Sequence, residues 1–145
     1  MTEIKEAELS SVDAIVGIEN SSFTCPWSEK SFNDAISSDK IDVYTIETDG
    51  EICGFYCLMI INEEAELLNI AVAASHRRQG LGDKLMTHAL SLAKSRGVKA
   101  VYLEVRESNT PARRLYEKYG YIALGVRKNY YAYPRENAVV MQKQL

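Results

Sequence analysis

With 145 residues, 46% hydrophobic and 26% charged, the chain has the size and make-up of one soluble globular domain spanning 1–145, and a disordered or fibrous protein is excluded. A net charge of -3 and a pI near 5.5 exclude nucleic acid as the main partner, because phosphate binding needs a clustered basic surplus. No run approaches the roughly 18 apolar residues of a membrane span, and Met1 to Glu6 lacks the basic-then-apolar pattern of a secretory signal, so a cytoplasmic location is expected, with its three cysteines reduced.

In chain order, apolar residues at Leu9, Val12, Ile15 and Val16 predict an amphipathic helix from Leu9 to Ile18, with Ser10 or Ser11 as its cap. Phe23-Thr24-Cys25-Pro26-Trp27 interrupts it, and Ser28 then reads as the N-cap of a short helix to about Ser37. Val43 to Thr48 leads into Asp49-Gly50, a hairpin signal because both residues tolerate positive φ. Ile52 to Ile61 and Ala65 to Val72 follow as antiparallel strands. Cys53 and Cys57 are four apart on the first of these, about 13 Å by strand rise, too far for a bridge.

Leu81, Leu85, Met86, Ala89, Leu92 and Ala93 form one helical stripe between Gly80 and Arg96, with Gly97 placed as the C-terminal stop. Ala100 to Val105 predicts a strand. Thr110-Pro111 predicts the cap and first residue of a helix that closes at Gly120. Tyr121 to Val126 and Ala138 to Lys143 predict two last strands. The resulting order, βααβββαβαββ, predicts an α+β fold with helices around one mixed sheet.

Between the third hairpin strand and the long helix lies Arg77-Arg78-Gln79-Gly80-Leu81-Gly82. A glycine-bearing turn at a helix N-terminus offers unpaired N–H groups and a positive dipole end, so an anion is welcome there. It is not a mononucleotide P-loop, which ends in Gly-Lys-Ser/Thr, and Leu85 stands where the dinucleotide fingerprint needs a third glycine. On these residues alone a plain strand-to-helix turn with solvated arginines stays open.

The second cluster is Leu103-Glu104-Val105-Arg106, then Asn109, then Leu115-Tyr116. A carboxylate in an apolar strand needs a partner or a shifted pKa, and Arg106 shares its strand face, so a structural ion pair is one account of Glu104. Amine acylation is the other. A carboxylate removes the amine's proton, a tyrosine hydroxyl protonates a departing thiolate, and a backbone N–H such as that of Val72 holds the oxyanion.

Arg77-x-x-Gly80-x-Gly82 resembles the Arg/Gln-x-x-Gly-x-Gly/Ala signature of the GNAT acetyltransferases, in which these residues hold the pyrophosphate of acetyl-CoA. Leu68 to Val72 is similar to that family's strand beside the pantetheine arm, and the likeness runs over the whole element order. Leu103 to Tyr121, Cys25-Pro26-Trp27-Ser28-Glu29 and Arg127-Lys128-Asn129-Tyr130-Tyr131 resemble the ribosomal-protein alanine N-acetyltransferases of the family. The resemblance implies a GNAT fold with a mixed, mostly antiparallel sheet. It implies acetyl transfer from acetyl-CoA to the N-terminal alanine of a small-subunit ribosomal protein, with Glu104 as general base and Tyr116 as general acid. Ile70, Ala71, Val72, Arg78, Gln79, Gly80, Leu81, Gly82, Asp83 and Asn109 are then the acetyl-CoA site, with Arg77.

Asp83 falls in the first helical turn, where the dipole favours an acid, and is expected to point away from the phosphates. Trp27, Tyr130 and Tyr131 are read on loops flanking the site, with packing and substrate contact equally open. Glu29, Glu63, Glu64 and Glu66 read more readily as a solvated face than as a lure for a basic peptide. His76 and His88 lack the company a zinc site needs, so no metal is expected, and Cys25 has no adjoining histidine to make it a nucleophile. The chain is expected to be a monomer. A small-molecule amine as substrate, and a non-catalytic acyl-CoA-binding module, remain alternatives at this level.

Overall fold

The computed structural model describes residues 1–145. The elements are β1 (Thr2–Glu6), α1 (Val12–Ser22), α2 (Glu29–Ser37), β2 (Ile41–Thr48), β3 (Glu51–Ile61), β4 (Glu64–Val72), α3 (Leu81–Ser95), β5 (Ala100–Arg106), α4 (Thr110–Lys118), β6 (Ile122–Ala132) and β7 (Arg135–Gln144). One seven-stranded sheet runs β1-β2-β3-β4-β5-β7-β6, antiparallel throughout except where β4 meets β5. The mixed, mostly antiparallel α+β sheet expected from the sequence is therefore the observed one.

Local chemistry explains most boundaries. Ser28 Oγ accepts from the Ser31 N–H at 3.1 Å and starts α2. Asp49 and Gly50 both have positive φ, 51° and 83°, and turn β2 into β3. Four expectations need correction. A 3-10 turn at Leu9–Ser11 precedes α1, which begins at Val12 and continues to Ser22. Ser11 Oγ accepts from the Glu8 N–H at 3.1 Å and does not cap α1 itself. The cap of α4 is Asn109, whose Oδ1 accepts from the Ala112 N–H at 3.3 Å, because Thr110 is already helical. Finally, β6 and β7 extend well beyond Val126 and before Ala138, so Tyr130 and Tyr131 lie on a strand and not on a loop.

The sheet is sandwiched. Leu81, Leu85, Met86, Ala89 and Ala93 of α3 pack with Tyr56, Leu58, Leu67 and Leu103 on one face. Val12, Ile15 and Ile18 of α1 and Phe32 and Ala35 of α2 pack with Val43, Phe55, Cys57 and Ala71 on the other. Cys25, Cys53 and Cys57 are all unbridged. None of the helices is long and apolar enough to cross a membrane.

Two irregularities in β4 position the site. Cys57 faces Asn69 but Leu58 faces Leu67, so Leu68 is an extra, bulged residue that re-aims the strand's side chains. Parallel pairing with β5 is confined to Glu64–Glu66 against Ala100–Tyr102, after which the two strands part and leave a wedge open at the sheet's centre.

Candidate active site

On one side of the wedge lies a cleft of about 570 Å³ lined by Ile70, Val72, Arg77, Arg78, Gly80, Leu81, Gly82, Asp83 and Asn109, together with Phe23 and Leu115. Ala73 N–H donates to Cys53 C=O at 2.7 Å, and bonded pairs alternate along an antiparallel ladder. Ala71 and Asn69 therefore direct their N–H groups to β3, while those of Ile70 and Val72 face the wedge. Arg77 Nε donates to the outward Val72 C=O at 3.2 Å. Left-handed backbone at Arg78 (φ 64°) and Gly80 (φ 76°) winds the chain into α3. The first helical bond, Lys84 N–H to Gly80 C=O at 3.1 Å, leaves the Leu81, Gly82 and Asp83 N–H groups without helical partners. A dipole end, free N–H groups and two arginines suit a pyrophosphate.

Two of the expected cleft residues lie elsewhere. Ala71 turns its side chain into the α1/α2 core, since strand neighbours alternate faces, and Gln79 does not line the cleft. Asp83 borders the cleft, but its Oδ1 accepts from Lys118 Nζ at 2.8 Å and from Tyr119 Oη at 2.7 Å. The Lys118 and Tyr119 hydrogen bonds hold its carboxyl below the usual range. Its charge is thus turned to α4.

Across β4 a second cleft, about 300 Å³, is lined by Glu19, Phe23, Trp27, Glu66, Leu68, Asn69, Glu104, Arg106, Tyr130 and Tyr131. Glu66 and Glu104 continue into a trough of about 970 Å³ with Glu63, Glu64, Tyr102 and Arg127. Arg127 Nε stands 3.0 Å from Glu104 Oε2, close enough for an ion pair. That oxygen is buried and receives no hydrogen bond of acceptable direction within the protein. Burial first, and then the charge of Glu104, raises the Glu66 carboxyl above its ordinary range. Arg106 pairs with Glu136 at 3.3 Å and not with Glu104, which corrects the ion-pair account from sequence.

Tyr116 is buried, with its ring 5.8 Å from that of Tyr121. Burial, and secondarily Tyr131, pushes its hydroxyl up to about 12. It lines neither cleft, though its neighbour Leu115 lines the first.

The profile of the Acetyltransferase (GNAT) family matches residues 12–121. The chain belongs to the GNAT acetyltransferase family. Relatives include the [ribosomal protein bS18]-alanine N-acetyltransferases of Escherichia coli K12, 35% identical over 97% of this chain and 96% of that protein, and of Haemophilus influenzae, 36% identical over 97% of each. The crystal structure of the ribosomal-protein-S18-alanine N-acetyltransferase from Escherichia coli superposes with a TM-score of 0.93 at 34% identity, covering 99% of this chain and 94% of that one.

Within this GNAT domain, sequence reading did not single out Glu19 or Asn69, gave Arg106 the wrong partner, and quoted Arg127 without its ion pair to Glu104. Glu19 accepts from the Trp27 N–H at 2.9 Å and from Asn69 Nδ2 at 3.3 and 3.2 Å, tying the α1–α2 connection to β4. Its signal was available: a carboxylate one helical turn after Ile15, on the apolar face of α1. Asn69 likewise interrupts an apolar strand. Arg106 donates to Thr24 Oγ1 at 3.0 Å and to Tyr133 C=O at 2.9 Å, and its guanidinium lies 4.2 Å from the Tyr131 ring centre, so it links that connection to the β6–β7 hairpin. Trp27, Tyr130 and Tyr131 do border one cleft, the first packed on Phe32 at 5.3 Å and the other two edge-to-face at 5.1 Å.

Proposed function

We propose that this enzyme transfers an acetyl group from acetyl-CoA to the α-amine of the N-terminal alanine of ribosomal protein bS18, in the cytoplasm, by direct attack. The observation that carries the reading is the pair of clefts on either side of β4 that share Phe23 in their lining, one holding Glu104 and the other the α3 turn. Arg77, Arg78, Gly80, Leu81, Gly82 and Asn109 hold the coenzyme, which supplies the activated acetyl group. The outward N–H groups of Ile70 and Val72 leave an edge for its pantetheine arm.

The Glu104 carboxylate accepts the proton of the incoming amine, directly or through one water, with Arg127 balancing its charge. The Val72 N–H receives the oxyanion that develops on the acetyl oxygen. Tyr116 Oη returns a proton to the leaving thiolate. Its raised value keeps the hydroxyl a donor throughout the neutral range. The trough beyond Glu104 extends the amine side far past what a small amine fills, and its carboxylates suit a basic chain, which favours a protein terminus over a small-molecule substrate.

The test is mass spectrometry of an alanine-starting peptide copying the bS18 terminus, incubated with acetyl-CoA and either wild type or Glu104→Gln. One acetyl group on the α-amine with wild type alone supports the reading. No acetylation, despite calorimetric binding of acetyl-CoA, overturns the substrate, and full activity of Glu104→Gln overturns the base.

A further inference from the structure

Asn69 is 7% exposed, lines the amine-side cleft, and carries a side-chain carbonyl without a partner. Its orientation is chemically fixed. Burial raises the Glu19 carboxyl, 2% exposed, and in its ionised form it can only accept, so the Asn69 amide turns its Nδ2 toward Glu19, as the 3.3 and 3.2 Å contacts record. Oδ1 is then aimed away from Glu19. A buried acceptor left unpaired is destabilising, so a fold that builds a dedicated carboxylate to hold one in place calls for an explanation.

The position supplies it. Leu68 is the bulged residue of β4, and the bulge is what brings Asn69 onto the same face as Glu19 while Glu66 and Glu104 lie just before it along the same cleft. The Trp27 N–H on Glu19 anchors the Phe23–Trp27 wall opposite. A chain whose terminal amine reaches Glu104 passes between this wall and Tyr130 and Tyr131. We infer that Asn69 Oδ1 is a specificity element of the amine site, accepting a hydrogen bond from a backbone amide N–H of a peptide substrate just behind its reacting terminus. Glu19 is the positioning residue that keeps Oδ1 turned away from itself and unpaired. One neutral carbonyl matches one neutral N–H, and an amine that carries no amide leaves it unpaired and is disfavoured. Oδ1 is sealed in the free protein, so engagement requires a neighbouring group to shift.

This inference rests on the peptide reading above, and its test separates the two. Alanine-starting peptides are made with an ester in place of the first, second or third amide, which deletes one N–H each, and their binding is measured by calorimetry beside their kcat/KM. In wild type one of the three esters is expected to weaken binding about tenfold. In Asn69→Ala that penalty disappears. Glu19→Gln keeps the packing but donates toward Asn69, which turns the amide round and presents Nδ2 to the cleft; it too loses the ester penalty and binds the all-amide peptide more weakly, with its melting temperature preserved. Equal tolerance of all three esters by wild type, or an ester penalty undiminished in both variants, overturns the inference. All-amide binding without turnover overturns only the catalytic reading, and absence of any peptide binding overturns both.

Discussion

Arg127 Nε lies 3.0 Å from Glu104 Oε2, yet that oxygen receives no directed hydrogen bond. The cation balances the carboxylate's charge without a directed hydrogen bond to that oxygen. Glu104→Gln is therefore expected to lower kcat by about 10²–10⁴-fold. The Arg127 side chain is 61% exposed, and Arg127→Gln should cost under about fivefold, as exposed ion pairs do. Steady-state kinetics separates the two, with acetyl-CoA affinity by calorimetry unchanged in both. Equal losses would move proton handling from Glu104 to the pair.

Tyr116 offers a hydroxyl that makes no hydrogen bond within the protein and is held up to about 12 by burial. Tyr116→Phe removes nothing the fold depends on, so its melting temperature should stay within a degree or two of wild type while kcat falls by about 10²-fold. Because the hydroxyl stays protonated below about 12, neither enzyme should show an alkaline limb from this group in a pH–rate profile. A full-rate Phe variant would return the leaving thiolate's proton to solvent.

Gly80 and Gly82 serve the α3 turn for different reasons. Gly80 has φ 76°, a conformation that L side chains rarely adopt, so Gly80→Ala should cost about 1 kcal/mol and lower the melting temperature by about 2–4 °C. A Cβ at Gly82 would meet Val72 Cγ2 at 4.0 Å, an ordinary contact, so Gly82→Ala should melt like wild type. Any loss of acetyl-CoA affinity in Gly82→Ala then reports how closely the pyrophosphate approaches the backbone. Calorimetry and melting curves on the two variants check both statements.

Asp83 binds α3 to α4 through Lys118 and Tyr119, and those hydrogen bonds depress its carboxyl in the folded state. A depressed acid contributes stability that is present above its unfolded value of about 3.9 and is lost as pH falls through the folded value. Asp83→Asn should therefore melt lower than wild type at pH 7, and the gap should close in acid below about pH 4. The side chain is 40% exposed, so screening keeps the gap at or below about 1 kcal/mol. A gap that persists at low pH would assign the effect to packing.

The order of elements, the α2 cap at Ser28, the Asp49-Gly50 turn and the glycine-bearing turn of Arg77 to Gly82 were legible because each depends on residues within one turn of each other. Periodicity, capping and positive φ are local properties. The α4 cap moved by one residue from Thr110 to Asn109 for a reason equally local, since either side chain can serve and only the backbone geometry chooses.

The amine side was not legible in the same way. Arg106 joins Thr24 across 82 positions, and Asn69 joins Glu19 across 50. Sequence spacing offered Arg106 as the partner of Glu104. The strand order instead set β7 beside β5, giving Arg106 to Glu136, and the β6 strand beyond it gave Arg127 to Glu104. By itself, then, the sequence determined the glycine-bearing turn into α3 and the residue types offered for the proposed chemistry, because these are written in adjacent positions. Only the tertiary structure decided which charges pair and which buried oxygens stay free. The bulge at Leu68 and the parting of β4 from β5 arise from strands packed side by side, and no local pattern encodes that contact.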